Sequence, residues 1–76
     1  MSTIRSTLQG DTVLITVEGD LTFASNRLFR DAYQAYQNTR FTVDLTRATY
    51  MDSAGLGMLI RLRDHAGGDR AKVTLR

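Results

Sequence analysis

Three stretches of this 76-residue chain change character at every second residue. Val13, Ile15 and Val17 alternate with Leu14, Thr16 and Glu18. Phe41, Val43 and Leu45 alternate with Thr42, Asp44 and Thr46, and Ala71, Val73 and Leu75 alternate with Lys72, Thr74 and Arg76. Side chains along a strand point to opposite faces in turn, so the pattern predicts half-buried strands. An earlier stretch, Thr3 to Leu8, joins the first of these through Gln9-Gly10-Asp11-Thr12, whose composition suits a hairpin turn. Strands buried on both faces would read as near-continuous apolar runs, so the alternation predicts a sheet covered on one face only.

Helical spacing fills the intervals. The first helix is expected to start at Thr22 or Phe23 and run to about Asn38. Ala24, Leu28, Ala32, Ala35 and Tyr36 would lie inward, and Arg27, Arg30, Asp31, Gln34 and Gln37 outward. Tyr33 and Tyr36 then belong to the edge of the core. The second helix is expected from Ser53 to Ala66, stopped by Gly67-Gly68. Its inner stripe reads Leu56, Leu59, Leu62 and Ala66, widened by Met58 and Ile60, with Gly57, Arg61, Asp64 and His65 outward. This apolar arc is wider than one sheet contact requires, which predicts a further packing partner. The order ββαβαβ, with helical crossovers between the later strands, predicts a small α/β domain over residues 1–76. Its sheet would be mixed but mostly parallel, with both helices on one face.

Composition narrows the function. Hydrophobic residues make up 42% and charged residues 24%, the balance of a folded globule. Cysteine is absent, which removes disulfides and thiolate metal ligation. The longest apolar run, Met58-Leu59-Ile60, is far short of the ~18 residues of a membrane span, and the first residues lack the apolar stretch of a secretory signal. A cytoplasmic location and no membrane partner are expected. Ten cations against eight acids give a net charge of +2. Nine of those cations are arginines scattered among the acids, a poor footprint for nucleic acid.

The most informative segment is Asp52-Ser53-Ala54-Gly55-Leu56-Gly57, where a strand-like run meets the second helix. Asp52 suits the N-cap, its carboxylate reaching the N–H of Ala54 or Gly55. Met51 and Leu56 would then form a hydrophobic staple, and Ser53 would take the first helical position beside the free amides. The plainer alternative makes Ser53 itself the cap. Gly55 and Gly57 each cost up to ~1 kcal/mol in a helix relative to alanine. Close approach of a partner backbone is one reason for them; tight packing onto the sheet is the other. Tyr50 and Met51 just before the hydroxyl add an apolar rim.

Asp44-Leu45-Thr46 followed by Tyr50-Met51-Asp52-Ser53-Ala54-Gly55-Leu56-Gly57 resembles the signature of the STAS domain, the anti-sigma factor antagonist family of bacteria. The resemblance runs from the first hairpin to the strand at Ala71–Leu75. It implies a sheet with helices on one face, and a serine at position 53 that a kinase acting as anti-sigma factor phosphorylates. The unphosphorylated form of such proteins binds the anti-sigma factor and frees the sigma factor for transcription; a serine phosphatase resets the switch. The partner-binding surface expected here comprises Tyr50, Met51, Asp52, Ala54, Gly55, Gly57 and Met58. Asp20 and Thr22 would join it, where a strand end feeds a helix start. The chain is shorter at its C-terminus than members of that family usually are; either the sequence is truncated or another molecule covers the bare edge of the last strand, and for the latter self-association is the expectation.

Other chemistries find little support. A serine nucleophile needs a base within hydrogen-bond reach, and the single histidine, His65, lies three turns farther along the helix. Asp44 and Asp52 read as a strand residue and a cap rather than a carboxylate pair, and the dispersed acids offer no metal cluster. No phosphate-binding glycine motif is present, and nucleotide binding at the helix start lacks a supporting lysine. Neither catalysis nor a cofactor is expected. The serious alternative is a standing scaffold: some relatives in the family partner transport ATPases or larger assemblies without using a phosphorylated serine.

Overall fold

The computed structural model describes residues 2–37 and 39–76. Its elements are β1 (Ser2–Gln9), β2 (Thr12–Leu21), a 3₁₀ turn (Phe23–Ser25), α1 (Asn26–Tyr33), β3 (Arg40–Met51), α2 (Ser53–His65), a second 3₁₀ turn (Gly68–Arg70) and β4 (Val73–Leu75). The sheet order is β1-β2-β3-β4; β1 runs antiparallel to β2, while β2–β3 and β3–β4 are parallel. This is the small mixed α/β arrangement expected from the alternation. Gly10 turns the first hairpin at φ 63°. Gly67 and Gly68, at φ 123° and 61°, end α2 in conformations that side chains disfavour.

One face of the sheet is covered. Val13, Ile15, Val17 and Leu21 of β2 and Phe41 and Val43 of β3 meet Phe29, Ala32 and Tyr33 of α1 and Met58 and Leu62 of α2. Burial of each large apolar side chain stabilises the fold by roughly 1.5–3 kcal/mol. Both long strands outrun the alternation that predicts them. Between Thr16 and Glu18, and again between Gly19 and Asp20, β3 carries one residue more than β2 opposite it. Each bulge advances the inward face by one position. Beyond Val43 the core-facing residues are therefore Leu45, Ala48 and Met51, spaced by three rather than two.

The helices correct the expected faces. α1 ends at Tyr33, well before the expected limit at Asn38, which lies outside the described residues. Its buried side chains are Phe29, Ala32 and Tyr33, whereas Leu28 is half exposed and Ala24 and Ala35 face solvent. The expected stripe started from Ala24, but Ala24 sits in the tighter 3₁₀ turn, which rotates the face before α1 begins. In α2 the buried line is Gly55, Met58 and Leu62. Leu56 and Ile60 are exposed, and Leu59 is half buried. Apolar residues surround much of α2, so periodicity alone could not choose its inward face. The choice falls on Gly55 because a Cβ there would run into the carbonyl oxygen of Leu21 and into the Met51 side chain.

His65, expected on the solvated side, is half buried. Its Nε2 donates to the Tyr36 carbonyl at 2.6 Å, and its ring lies 4.9 Å from that of Tyr33 and 6.3 Å from that of Phe41. It fastens the last turn of α2 to the chain leaving α1.

Candidate functional site

Parallel strands deliver their carboxyl ends to the same rim of the sheet. Register pairs Asp20 with Tyr50 and Leu21 with Met51, so the loop entering α1 and the loop entering α2 emerge side by side. Asp52 joins them. Its backbone is extended (φ −98°, ψ −175°), and its Oδ1 accepts from the Gly55 N–H at 2.9 Å while Oδ2 accepts from the Phe23 N–H at 3.4 Å. One carboxylate thus caps α2 and tethers the start of the 3₁₀ turn. Ser53 follows as the first helical residue, exposed, with no side-chain hydrogen bond among the described residues. The cap is Asp52, and the hydroxyl of Ser53 is left over.

Around that hydroxyl the residues expected at a partner surface divide. Tyr50 is exposed; Met51, Asp52, Ala54, Asp20 and Thr22 are half buried at the same rim. Thr49 donates to Asp20 Oδ1 at 3.5 Å. Gly55 and Met58 are buried instead, Gly55 beneath Leu21 and Met51, and Met58 in the core with one side toward the notch between α1 and α2. Gly57 differs from Gly55, since a Cβ there would meet nothing within 4 Å. The staple between Met51 and Leu56 is replaced by Met51 packing over Gly55, with Leu56 exposed.

Sequence reading missed Phe23, which is 77% exposed although its type suggests core. Phe23, Asn26, Ala54, Gly57, Met58 and Arg61 line a notch of about 150 Å³ between α1 and α2, one turn from Ser53. The larger hollow, about 420 Å³, lies at the opposite end of the strands among Asp11, Arg40, Gly67, Arg70 and Lys72. Arg40 is held there by Asp11 at 3.3 Å.

Two titrating groups respond to their surroundings. Burial pushes the Tyr33 hydroxyl above the usual tyrosine range, opposed by the charges of Arg61 and Arg30. Hydrogen bonds from the Thr46 hydroxyl and backbone N–H hold half-buried Asp44 below the usual carboxylate range. Asp44 and Asp52 therefore have separate engagements. His65 stands twelve residues beyond Ser53, about 18 Å along the helix, and is occupied by Tyr36. No group of three or more His, Cys, Asp or Glu residues converges among the described residues, and no helix is long and apolar enough to cross a membrane.

Known proteins share this arrangement. A STAS-domain containing protein of Pseudomonas aeruginosa is 47% identical over 68 residues, spanning 87% of this chain and 67% of that protein. The antisigma-factor antagonist STAS domain from Rhodobacter sphaeroides superposes with a TM-score of 0.72 at 25% identity, covering 97% of this chain and 84% of that one. The anti-sigma factor antagonist SpoIIAA in its unphosphorylated form gives a TM-score of 0.72 at 17% identity, over 96% of this chain and 71% of that one, a likeness of fold. The profile of the family described as "Mlab, STAS domain" matches residues 4–76, and the chain belongs to the STAS-domain family.

Proposed function

We propose that this protein is an anti-sigma factor antagonist switched by phosphorylation of Ser53. The observation that carries the reading is the free hydroxyl: Asp52 does the capping, so Ser53 is exposed at the helix start without a structural task. A phosphoryl group would add about −1.5 to −2 charges there, which the free amides of α2 tolerate. A partner that buries this rim against apolar or acidic groups does not tolerate it, because an unpaired buried charge is costly. The complex is lost while the fold survives. The partners are an anti-sigma factor with serine-kinase activity and a serine phosphatase, in the bacterial cytoplasm. Intact-mass measurement and site mapping of the protein from its host test the switch. The expected result is one phosphate on Ser53, and its absence across growth conditions overturns the reading. With a purified partner, Ser53→Asp weakens binding by about tenfold or more and Ser53→Ala does not.

A standing subunit of a transport ATPase or larger assembly is the second reading, which membership of the STAS-domain family fits equally. In it Ser53 is never modified, and Ser53→Asp and Ser53→Ala bind alike.

The proposal includes self-association along β4. Among the described residues β4 pairs only with β3, and a groove of about 280 Å³ beside it is lined by Leu56, Leu59, Ile60, Val73 and Leu75. Lys72 and Arg76 flank that edge and oppose a second copy, so association strengthens with salt. A monomer at every concentration and salt in sedimentation equilibrium removes this element.

A further inference from the structure

We infer that the seam between α1 and α2 receives an acidic segment of the protein partner, one that inserts an apolar side chain into the notch and sets a carboxylate on Arg61. This rests on the reading of the Ser53 rim as a docking surface and gives the partner its chemistry. Ser53, Gly57 and Arg61 are spaced by four residues, so they share one face of α2 at intervals of about 6 Å. The notch lies at the middle of that line. Its floor is Ala54, Gly57 and Met58, its lips are Phe23 and Asn26, and Arg61 closes its far end. The open space over Gly57 admits one aliphatic or aromatic side chain, the usual form of an anchor in a docking pocket.

Charge fixes the sign of the occupant. Arg30 lies one turn after Asn26 on the same side of α1, and both Arg30 and Arg61 act on the Tyr33 hydroxyl. The ion pairs among the described residues are Arg40–Asp11, Arg47–Glu18 and Arg63–Asp69, so neither Arg30 nor Arg61 is neutralised within the chain. Asp64, the acid within α2, sits beyond Arg61, farther from the notch and from Ser53, and at the other end both oxygens of Asp52 are taken up by the Gly55 and Phe23 N–H groups. A segment bearing carboxylates is drawn to this seam and a basic one is repelled. The same sign explains how a phosphate on Ser53 would act at a distance. It places negative charge about 12 Å from Arg61 on the line along which an acidic partner lies.

The probe is a random dodecapeptide library displayed on phage, panned against the immobilised unphosphorylated chain. Enriched peptides are expected to carry Asp or Glu within a turn of Leu, Ile or Phe. Their binding should fall about tenfold or more with Arg61→Glu and with Gly57→Leu, weaken with salt, and be unchanged by Arg70→Glu at the far end of the molecule. Arg61 is exposed and Gly57 faces open space, so both variants keep the fold, which amide spectra verify. Basic consensus peptides, or a selection in which no enriched peptide senses Arg61→Glu, overturn the inference. Ser53 is unmodified throughout. A host protein that never carries the phosphate would therefore sink the switch and leave this result standing; binding indifferent to Arg61 would do the reverse.

Discussion

The two ends of α2 are built for opposite purposes. At its C-terminal end the ring of His65 lies against Tyr33 and Phe41 and its Nε2 holds the Tyr36 carbonyl, so the helix is fastened to α1 and β3 by packed rings. At its N-terminal end a single carboxylate holds two backbone N–H groups, and around it Phe23, Tyr50 and Ser53 face solvent. The larger hollow lies toward the fastened end and the smaller notch at the open end. On the proposed reading, cavity size therefore points the wrong way. Exposed apolar residues beside free amides and an unengaged hydroxyl are the better guide to a docking rim, because they have no role inside the chain.

The strongest way to break this contrast is through the two glycines of the first turns of α2. Gly55→Ala forces a Cβ onto the Leu21 carbonyl, which belongs to β2 and has no room to yield. We expect a loss of about 3 kcal/mol in urea unfolding, as for overpacking elsewhere. Gly57→Ala meets nothing and removes a helix-interior glycine, so it should stabilise by up to about 1 kcal/mol. Equal effects of the two would show that α2 is not seated as described.

The fastened end comes next. His65→Ala leaves the Tyr36 carbonyl without its donor and opens space beside Tyr33, an expected cost of about 2 kcal/mol. His65→Gln, which retains a donor but not the ring, should lose less. The variant should also speed hydrogen exchange at the end of α2 while leaving the Phe23 and Gly55 amides protected. Faster exchange at both ends would mean that they are not independent.

At the open end, Asp52→Ala removes the cap and the tether to Phe23 together. An expected loss of about 1 kcal/mol is typical of a cap, with Asp52→Asn within a few tenths of the parent. The distinguishing measurement is the Phe23 amide resonance. It should shift in Asp52→Ala along with that of Gly55, and a shift at Gly55 alone would remove the tether.

What the sequence disclosed follows from how directly each feature depends on local pattern. The alternation at Val13–Val17 and Phe41–Leu45 places two inner strands because each side chain's face is set by its neighbour. The stop at Gly67-Gly68 is equally local and stands where the residues themselves predict it, whereas adjacent Asp52 and Ser53 both suit a cap and the structure gives it to Asp52. The bulges in β3 are not local. They arise where β3 must match β2, and nothing in residues 45–49 alone announces the extra residues. The inward faces of α1 and α2 were hidden for a related reason. Their apolar residues are distributed broadly, and the decision rests on which position can approach Leu21 and on a 3₁₀ turn that rotates α1. Phe23 was concealed by its own chemistry, since an exposed aromatic is the exception to the rule that places it in the core.

The smallest expected effect tests whether the seam between the helices is as dry as its geometry implies. Burial raises the Tyr33 pKa, while Arg61 and Arg30 lower it, and the net direction is upward. The folded value thus exceeds the unfolded value of about 10. By linkage the folded state holds the proton more tightly, so this contribution is complete below about pH 10 and is lost as pH rises through the folded value. Subtracting the alkaline absorbance titration of Tyr33→Phe from that of the parent should isolate a transition above that of free tyrosine. Arg61→Gln removes a charge that favours tyrosinate and should move the transition higher still. A transition at the free-tyrosine value would mean that water reaches the Tyr33 hydroxyl, and the fastened end of α2 would then be wetter than its packed rings imply.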